Sequence, residues 1–237
     1  MKRKSYLVVI IAFAVVVSGC YTTGLSMREK GSFNYTNLVY GLYDGDEAAR
    51  TESVKLEKPI RLAVAQVGEN APPEAMLNVL ADKKYLISKM AIIPASSNES
   101  NYYTEQKVPT QQEFSKRMKG MRNLAKDMGT DYIFLFGGSA DYGTTASWLQ
   151  LLDLTVVGGF IIPSNKIKAE GRAVGALINV DTGKVIFMVN SEDKIEKNMP
   201  TYLAYDQQEA VVVNLRDKLV EKITNNFIEE LIKYNQS

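Results

Sequence analysis

Residues 125–136 read Ala-Lys-Asp-Met-Gly-Thr-Asp-Tyr-Ile-Phe-Leu-Phe. Gly129 sits where a helix stops, because the residue after a last helical turn often takes a left-handed conformation that only glycine adopts without strain. Upstream, Phe114, Met118, Met121, Ala125 and Met128 recur at helical spacing. Thr110-x-x-Glu113 after Pro109 is a capping box that starts this helix. Three methionines on one stripe could line a binding groove, but a core-facing side of a helix on a sheet is the reading taken. Downstream, Tyr132 to Phe136 is a continuous apolar run between Asp131 and Gly137-Gly138, which suits a central strand buried on both faces.

Working outward, Ile60 to Val67 reads as a core strand, preceded by Pro59 and closed by Gly68. Pro72 and Pro73 suit a helix start, and Ala75, Met76, Val79 and Leu80 stripe a short helix over 74–83. Met90 to Ile93 is a short strand before Pro94, and 95–108 a polar, tyrosine-bearing loop. Ile167 to Val180 and Lys184 to Asp193 form two strands around Asp181-Thr182-Gly183, with Gly183 at the positive-φ position of the turn. Tyr205 to Lys233 is a long final helix, with Val212, Leu215, Leu219, Ile223, Phe227 and Leu231 along one side. The expected fold is α/β (α+β): a mixed sheet of about five strands packed by two to three helices, with a long C-terminal helix.

The first twenty residues carry an address. Lys2, Arg3 and Lys4 precede an apolar run from Leu7 to Val17, then Val17-Ser18-Gly19-Cys20. That run is too short to cross about 30 Å of hydrocarbon, which takes about 20 residues, so it reads as the h-region of a signal peptide. Its ending resembles the lipobox of bacterial lipoproteins. The resemblance implies cleavage before Cys20 and a covalent lipid on its sulfur. Two or more acyl chains make a stable anchor, whereas one holds only marginally. Residue 21 is Tyr. The resemblance to enterobacterial-type lipoproteins, in which Asp there marks inner-membrane retention, therefore implies the outer membrane, facing the periplasm.

The organisation expected is a signal peptide over 1–19, a lipid-anchored tether over 20–58 and a periplasmic domain over 59–237. The aromatic stretch 33–43 within the tether reads as an arm packed on its own domain or as a partner-binding segment.

Composition narrows the chemistry. The chain has 237 residues, 46% hydrophobic and 23% charged, with one Cys and no His. Without His there is no imidazole base or imidazole metal ligand, and one Cys makes neither an internal disulfide nor a cysteine zinc site. Loss of Lys2, Arg3 and Lys4 with the leader leaves 25 basic residues against 27 acidic, which does not suit a nucleic-acid-binding surface. No phosphate-loop motif follows any strand. Asp131, Asp141, Asp153 and Glu170 are the acids on which a hydrolase would have to rest, and their expected role is in solvated strand ends and turns. No catalytic residue, cofactor or metal is therefore expected, apart from the lipid on Cys20.

Trp148 to Pro163 stands apart, with Asp153 as its one charge. Three readings stay open: a buried strand pair or helix-turn, an apolar patch that meets a partner or second copy, or a hairpin inserted in the membrane. Trp148, Leu149, Leu152, Phe160 and Ile161 are the candidate interaction or membrane residues.

Ala125 to Ile133 resembles the "AxxxGADY" passage of a group of bacterial envelope domains: the amino-terminal domain of TolB, the curli-secretion lipoproteins and the lipoprotein activators of penicillin-binding proteins. Leu177-Ile178-Asn179-Val180-Asp181-Thr182-Gly183-Lys184 resembles their following hairpin. Leu38 to Tyr43 and Leu151 to Gly158 are similar to passages of the rhombotarget lipoproteins. The resemblance implies a non-enzymatic envelope module that binds an envelope protein during assembly or secretion. An oligomeric channel or secretion component that uses 148–163 is the second reading, and an envelope hydrolase the third. Cys20→Ser is expected to abolish the acyl anchor while leaving the fold intact. Fractionation and intact mass check this; a wild-type mature chain lacking acyl mass, or starting elsewhere than Cys20, contradicts the address.

Overall fold

The computed structural model describes Leu56 and residues 59–94, 111–146 and 163–234. Eight elements follow in order: β1 (Ile60–Gln66), α1 (Glu74–Ala81), β2 (Ile87–Ile92), α2 (Gln111–Asp127), β3 (Tyr132–Ala146), β4 (Asn165–Asn179), β5 (Val185–Met199) and α3 (Thr201–Lys233). The strands form one sheet in the order β2-β1-β3-β4-β5. β1 pairs in parallel with both β2 and β3. β4 runs antiparallel to β3: Val180 N–H donates to the Asp131 carbonyl where β3 begins, and Thr145 Oγ1 donates to the Lys166 carbonyl near its end. The fold is thus α+β, a mixed five-stranded sheet with three helices.

The stop between α2 and β3 is a Schellman motif. Thr130 N–H reaches the Ala125 carbonyl at 3.0 Å and Gly129 N–H the Lys126 carbonyl at 2.9 Å, with Gly129 at φ 65°. The buried Thr130 hydroxyl also donates to the Ala125 carbonyl, 2.9 Å away. The turn between β4 and β5 works the same way. Gly183 takes φ 73°, and the Asn179 side chain accepts from Thr182 N–H at 2.9 Å.

Contacts in the chain group it into two units. Among described residues, the larger contains 59–94, 111–142, 169–195 and 209–234, and the smaller 143–146, 163–168 and 196–208. In the larger unit alternation splits the sheet into two apolar faces. On one, Ala63, Ala65, Val67, Ile133, Leu135, Val174, Ala176 and Ile178 pack with Met118, Met121 and Ala125 of α2, so the methionine stripe is core. On the other, Phe134 stacks on Phe227 of α3 at 4.1 Å between ring centroids, and Phe187 lies 5.9 Å from Phe227.

Several boundaries differ from the sequence reading. β2 begins at Ile87 rather than Met90, β4 at Asn165 rather than Ile167, and α3 at Thr201 rather than Tyr205. α1 ends at Ala81, and its buried stripe is only Met76 and Leu80, with Val79 39% exposed. β5 runs to Met199, past Asp193. The largest difference is β3, which continues through Gly137-Gly138 to Ala146. Glycines signal a break locally, but Gly138 lies so close to β4 that a Cβ there would sit 3.2 Å from the Arg172 carbonyl oxygen. The loop 95–108 and the capping residue Thr110 lie outside the described residues.

Gly175 packs directly under an aromatic ring. A Cβ on it would stand 2.5 Å from the Phe134 ring. Gly175→Ala is therefore expected to push Phe134 off Phe227 and lower stability by about 1–3 kcal/mol. Gly120→Ala, where a Cβ meets nothing, is expected to be neutral or stabilising by up to about 1 kcal/mol. Equilibrium denaturation of both variants checks the contrast.

Candidate functional site

The residues singled out by sequence divide sharply. Cys20, the aromatic arm at 33–43, Asp153 and the run with Trp148, Leu149, Leu152, Phe160 and Ile161 lie outside the described residues. The acids Asp131, Asp141 and Glu170 are described. Asp131 opens β3 and holds Arg61 of β1 through both carboxylate oxygens, in a bidentate pair. Its own N–H donates to the Arg61 carbonyl at 2.9 Å. Asp131 thus ties two parallel strands together. Arg61 in turn has its proton held more tightly than usual, chiefly by the hydrogen bond to Asp131.

The other two acids belong to a different part of the sheet. The antiparallel register that sets Val180 on Asp131 and Gly138 beside Ala173 brings Asp141 opposite Glu170. Glu170 pairs with Lys194 of β5 at 2.9 Å. In the neighbouring row Arg172 pairs with Glu192 at 3.2 Å. These side chains are open to solvent: 72% and 69% for Arg172 and Glu192, 50% and 61% for Lys194 and Glu170. The reverse side of the same strands is close-packed against α3, with the Ser191 hydroxyl donating to the Leu219 carbonyl within it. A Cβ on Gly171 would lie 2.7 Å from Leu219 Cδ1 of α3. In the smaller unit, Lys166 and Lys168 share Glu196.

In the larger unit, the stretches 170–172 of β4 and 192–194 of β5 are thus half-buried, with one face under α3 and one face presenting paired charges. Exposed ion pairs of this kind contribute only about 0–1 kcal/mol each. Their charges can be re-paired with another surface at little cost to the fold. The sequence signal was present as charges two residues apart: Lys166, Lys168, Glu170 and Arg172 on one strand, Glu192, Lys194 and Glu196 on the next. Reading the strands by their apolar residues alone missed it.

On the helix-covered side, Asp193 accepts from Lys194 N–H at 2.7 Å and pairs with Lys222 of α3 at 3.0 Å. These two interactions, in that order, hold its carboxyl below the usual range. At the turn, Lys126 holds Asp181 at 2.8 Å and lowers that carboxyl too. Arg122 adds hydrogen bonds to the Val180 and Asp181 carbonyls. Among the described residues no group of three or more acidic or cysteine side chains could hold a metal ion, and no helix is long and apolar enough to cross a membrane.

No family model and no curated protein matches the chain. Solved structures give distant likenesses. Lipoprotein GNA1162 from Neisseria meningitidis is 14% identical, with 66% of this chain and 99% of that one covered and a TM-score of 0.29. A PelC dodecamer from Paraburkholderia phytofirmans is 10% identical, with 73% and 90% covered and a TM-score of 0.30. A neuraminyllactose-binding hemagglutinin homolog from Helicobacter pylori is 11% identical, with 77% and 88% covered and a TM-score of 0.33. At these scores the likeness assigns no function.

The lowered carboxyls set a pH dependence. An acid whose folded value lies below its unfolded value stabilises the fold above the ordinary carboxylate value, and that contribution is lost as pH falls through the lowered one. Stability is therefore expected to fall on acidification below about pH 4, and Asp193→Asn to flatten that slope. Urea midpoints of wild type and variant across acidic pH measure it.

Proposed function

We propose that the chain is a lipoprotein anchored through Cys20 in the outer membrane, with its folded part in the periplasm. There it binds a protein partner in envelope assembly or secretion and performs no catalysis. The observation that supports binding best is the uncovered face of β3, β4 and β5, with Arg172–Glu192 and Glu170–Lys194 exposed across it. The anchor is supported by the basic n-region, the short apolar run and the chain's single cysteine.

The face can work by exchange. Each weak pair on it is replaced by a pair with the partner, so association costs little of the fold's stability. Alternating signs along neighbouring strands reject a partner set in the wrong register, because like charges then meet. Electrostatic complementarity of this type governs specificity and encounter rate more than raw affinity. The rigid layer beneath, with Gly171 against Leu219, keeps the charges in place before a partner arrives, which limits the ordering cost of binding.

Crosslinking in intact envelopes followed by affinity recovery tests the proposal. Wild type is expected to recover one envelope protein reproducibly. A double variant, Arg172→Gln with Lys194→Gln, is expected to lose it while its unfolding midpoint falls only slightly, since each exposed pair contributes about 0–1 kcal/mol. Background recovery from wild type, or equal recovery from both, contradicts partner binding at this face. Mass photometry of the detergent-extracted protein separates a monomeric binding module from the oligomeric channel that the 148–163 run motivates; a closed ring favours the latter.

A further inference from the structure

The first described residues of the chain meet the fold beside the α1–β2 connection. Leu56 is buried. Ile60 N–H donates to the Leu86 carbonyl at 2.8 Å, and the Ser88 hydroxyl donates to the Pro59 carbonyl at 3.3 Å. The entry point of the chain is therefore bonded directly to the α1–β2 connection, residues 82–86. That connection is tight. Asp82 C-caps α1, Leu86 N–H returns to the Lys83 carbonyl at 2.8 Å, and Leu86 itself is buried.

What the connection presents is two cations and a ring. Tyr85 is 63% exposed, the most exposed of the large hydrophobic side chains described. Lys83 and Lys84 enter no ion pair or hydrogen bond through their ammonium groups among the described residues. Other cations at this end of the sheet are engaged. Arg61 holds Asp131, Lys126 holds Asp181, Arg122 bonds the Val180 carbonyl, and Lys89 donates to the Met128 carbonyl at 2.6 Å.

We propose that Lys83, Lys84 and Tyr85 form a second membrane contact, docking on the phosphate groups of anionic lipid headgroups. This rests on the reading that Cys20 carries the anchor. Ammonium groups pair with lipid phosphates, and a tyrosine ring suits headgroup depth, with its apolar body inward and its hydroxyl in water. Each lysine near an anionic surface contributes about 1 kcal/mol. That is weak alone, but an acylated chain already holds the domain near the bilayer and makes the contact effectively intramolecular. The loop then orients the domain with the amino-terminal ends of β1 and β2 toward the membrane.

The test uses the mature chain from residue 20 with Cys20→Ser, so that no acyl group contributes. Its partition is measured into mixed phosphatidylcholine–phosphatidylglycerol vesicles and into pure phosphatidylcholine vesicles at low salt. Preference for the mixed vesicles is expected. Lys83→Ala with Lys84→Ala is expected to lower that partition about tenfold or more, and Tyr85→Ser to lower it further. Lys116→Ala with Arg117→Ala removes the same charge from the exposed side of α2 and is expected to leave it unchanged. Circular dichroism melts confirm that each variant folds, and Lys83→Gln with Lys84→Gln repeats the test with longer side chains. No preference for mixed vesicles, equal partition of wild type and the loop variant, or an equal loss from the α2 variant overturns the proposal. Native protein with an unmodified Cys20 would instead overturn the anchor, a result that intact mass reads separately from vesicle partition.

Discussion

The rest of the fold depends on how α2 is stopped and handed to β3. Within three residues the chain ends a helix, satisfies the last carbonyls and starts the central strand. Gly129 supplies the left-handed turn, and Thr130 closes the Ala125 carbonyl with both its N–H and its hydroxyl. Asp131 then takes Arg61 by its side chain and the Arg61 carbonyl by its N–H. Lys89 donates to the Met128 carbonyl from β2. Orphan carbonyls at a helix end are costly if buried unsatisfied. Here each neighbouring strand contributes a group to them or to the residue that follows. A helix end thus sets the register of β1, β2 and β3.

From that junction the two faces of the sheet diverge. One face is closed by small residues, Ala63, Ala65 and Ala176, which let α2 lie close. The other is closed by bulk: Phe134, Phe136 and Phe227 fill the space between sheet and α3. Gly175 exists to admit the Phe134 ring. Aromatic pairs in such offset contact add to the area they bury, so Phe227 adds to the hold that buried Leu215, Ile223 and Leu231 give α3.

Further along β3 to β5 the larger unit keeps one apolar face and changes the other to paired charges. That asymmetry gives the same strands a core side and a solvent side within one sheet. The proposed role in partner binding rests on the solvent side.

Much of this was legible in the residues. The helix stop at Gly129, the turn at Gly183, the core strand at Tyr132 to Phe136 and the stripe of α3 each rest on interactions within a few residues, and such interactions are written locally. The expected leader and lipidation at Cys20 rest likewise on a linear signal, residues read in order. What tertiary structure decided is what depends on partners distant in the chain. Gly137-Gly138 reads as a break, yet the backbone runs on as strand, because β4 comes close enough to use the space that a side chain would fill. Val79 reads as core, yet it faces water, because Met76 and Leu80 already cover the short contact that α1 makes. Charges two apart on β4 and β5 become pairs only when the strands are side by side. Local rules set backbone conformation; which face is covered is set by long-range packing, and a single strand of sequence does not carry its neighbours.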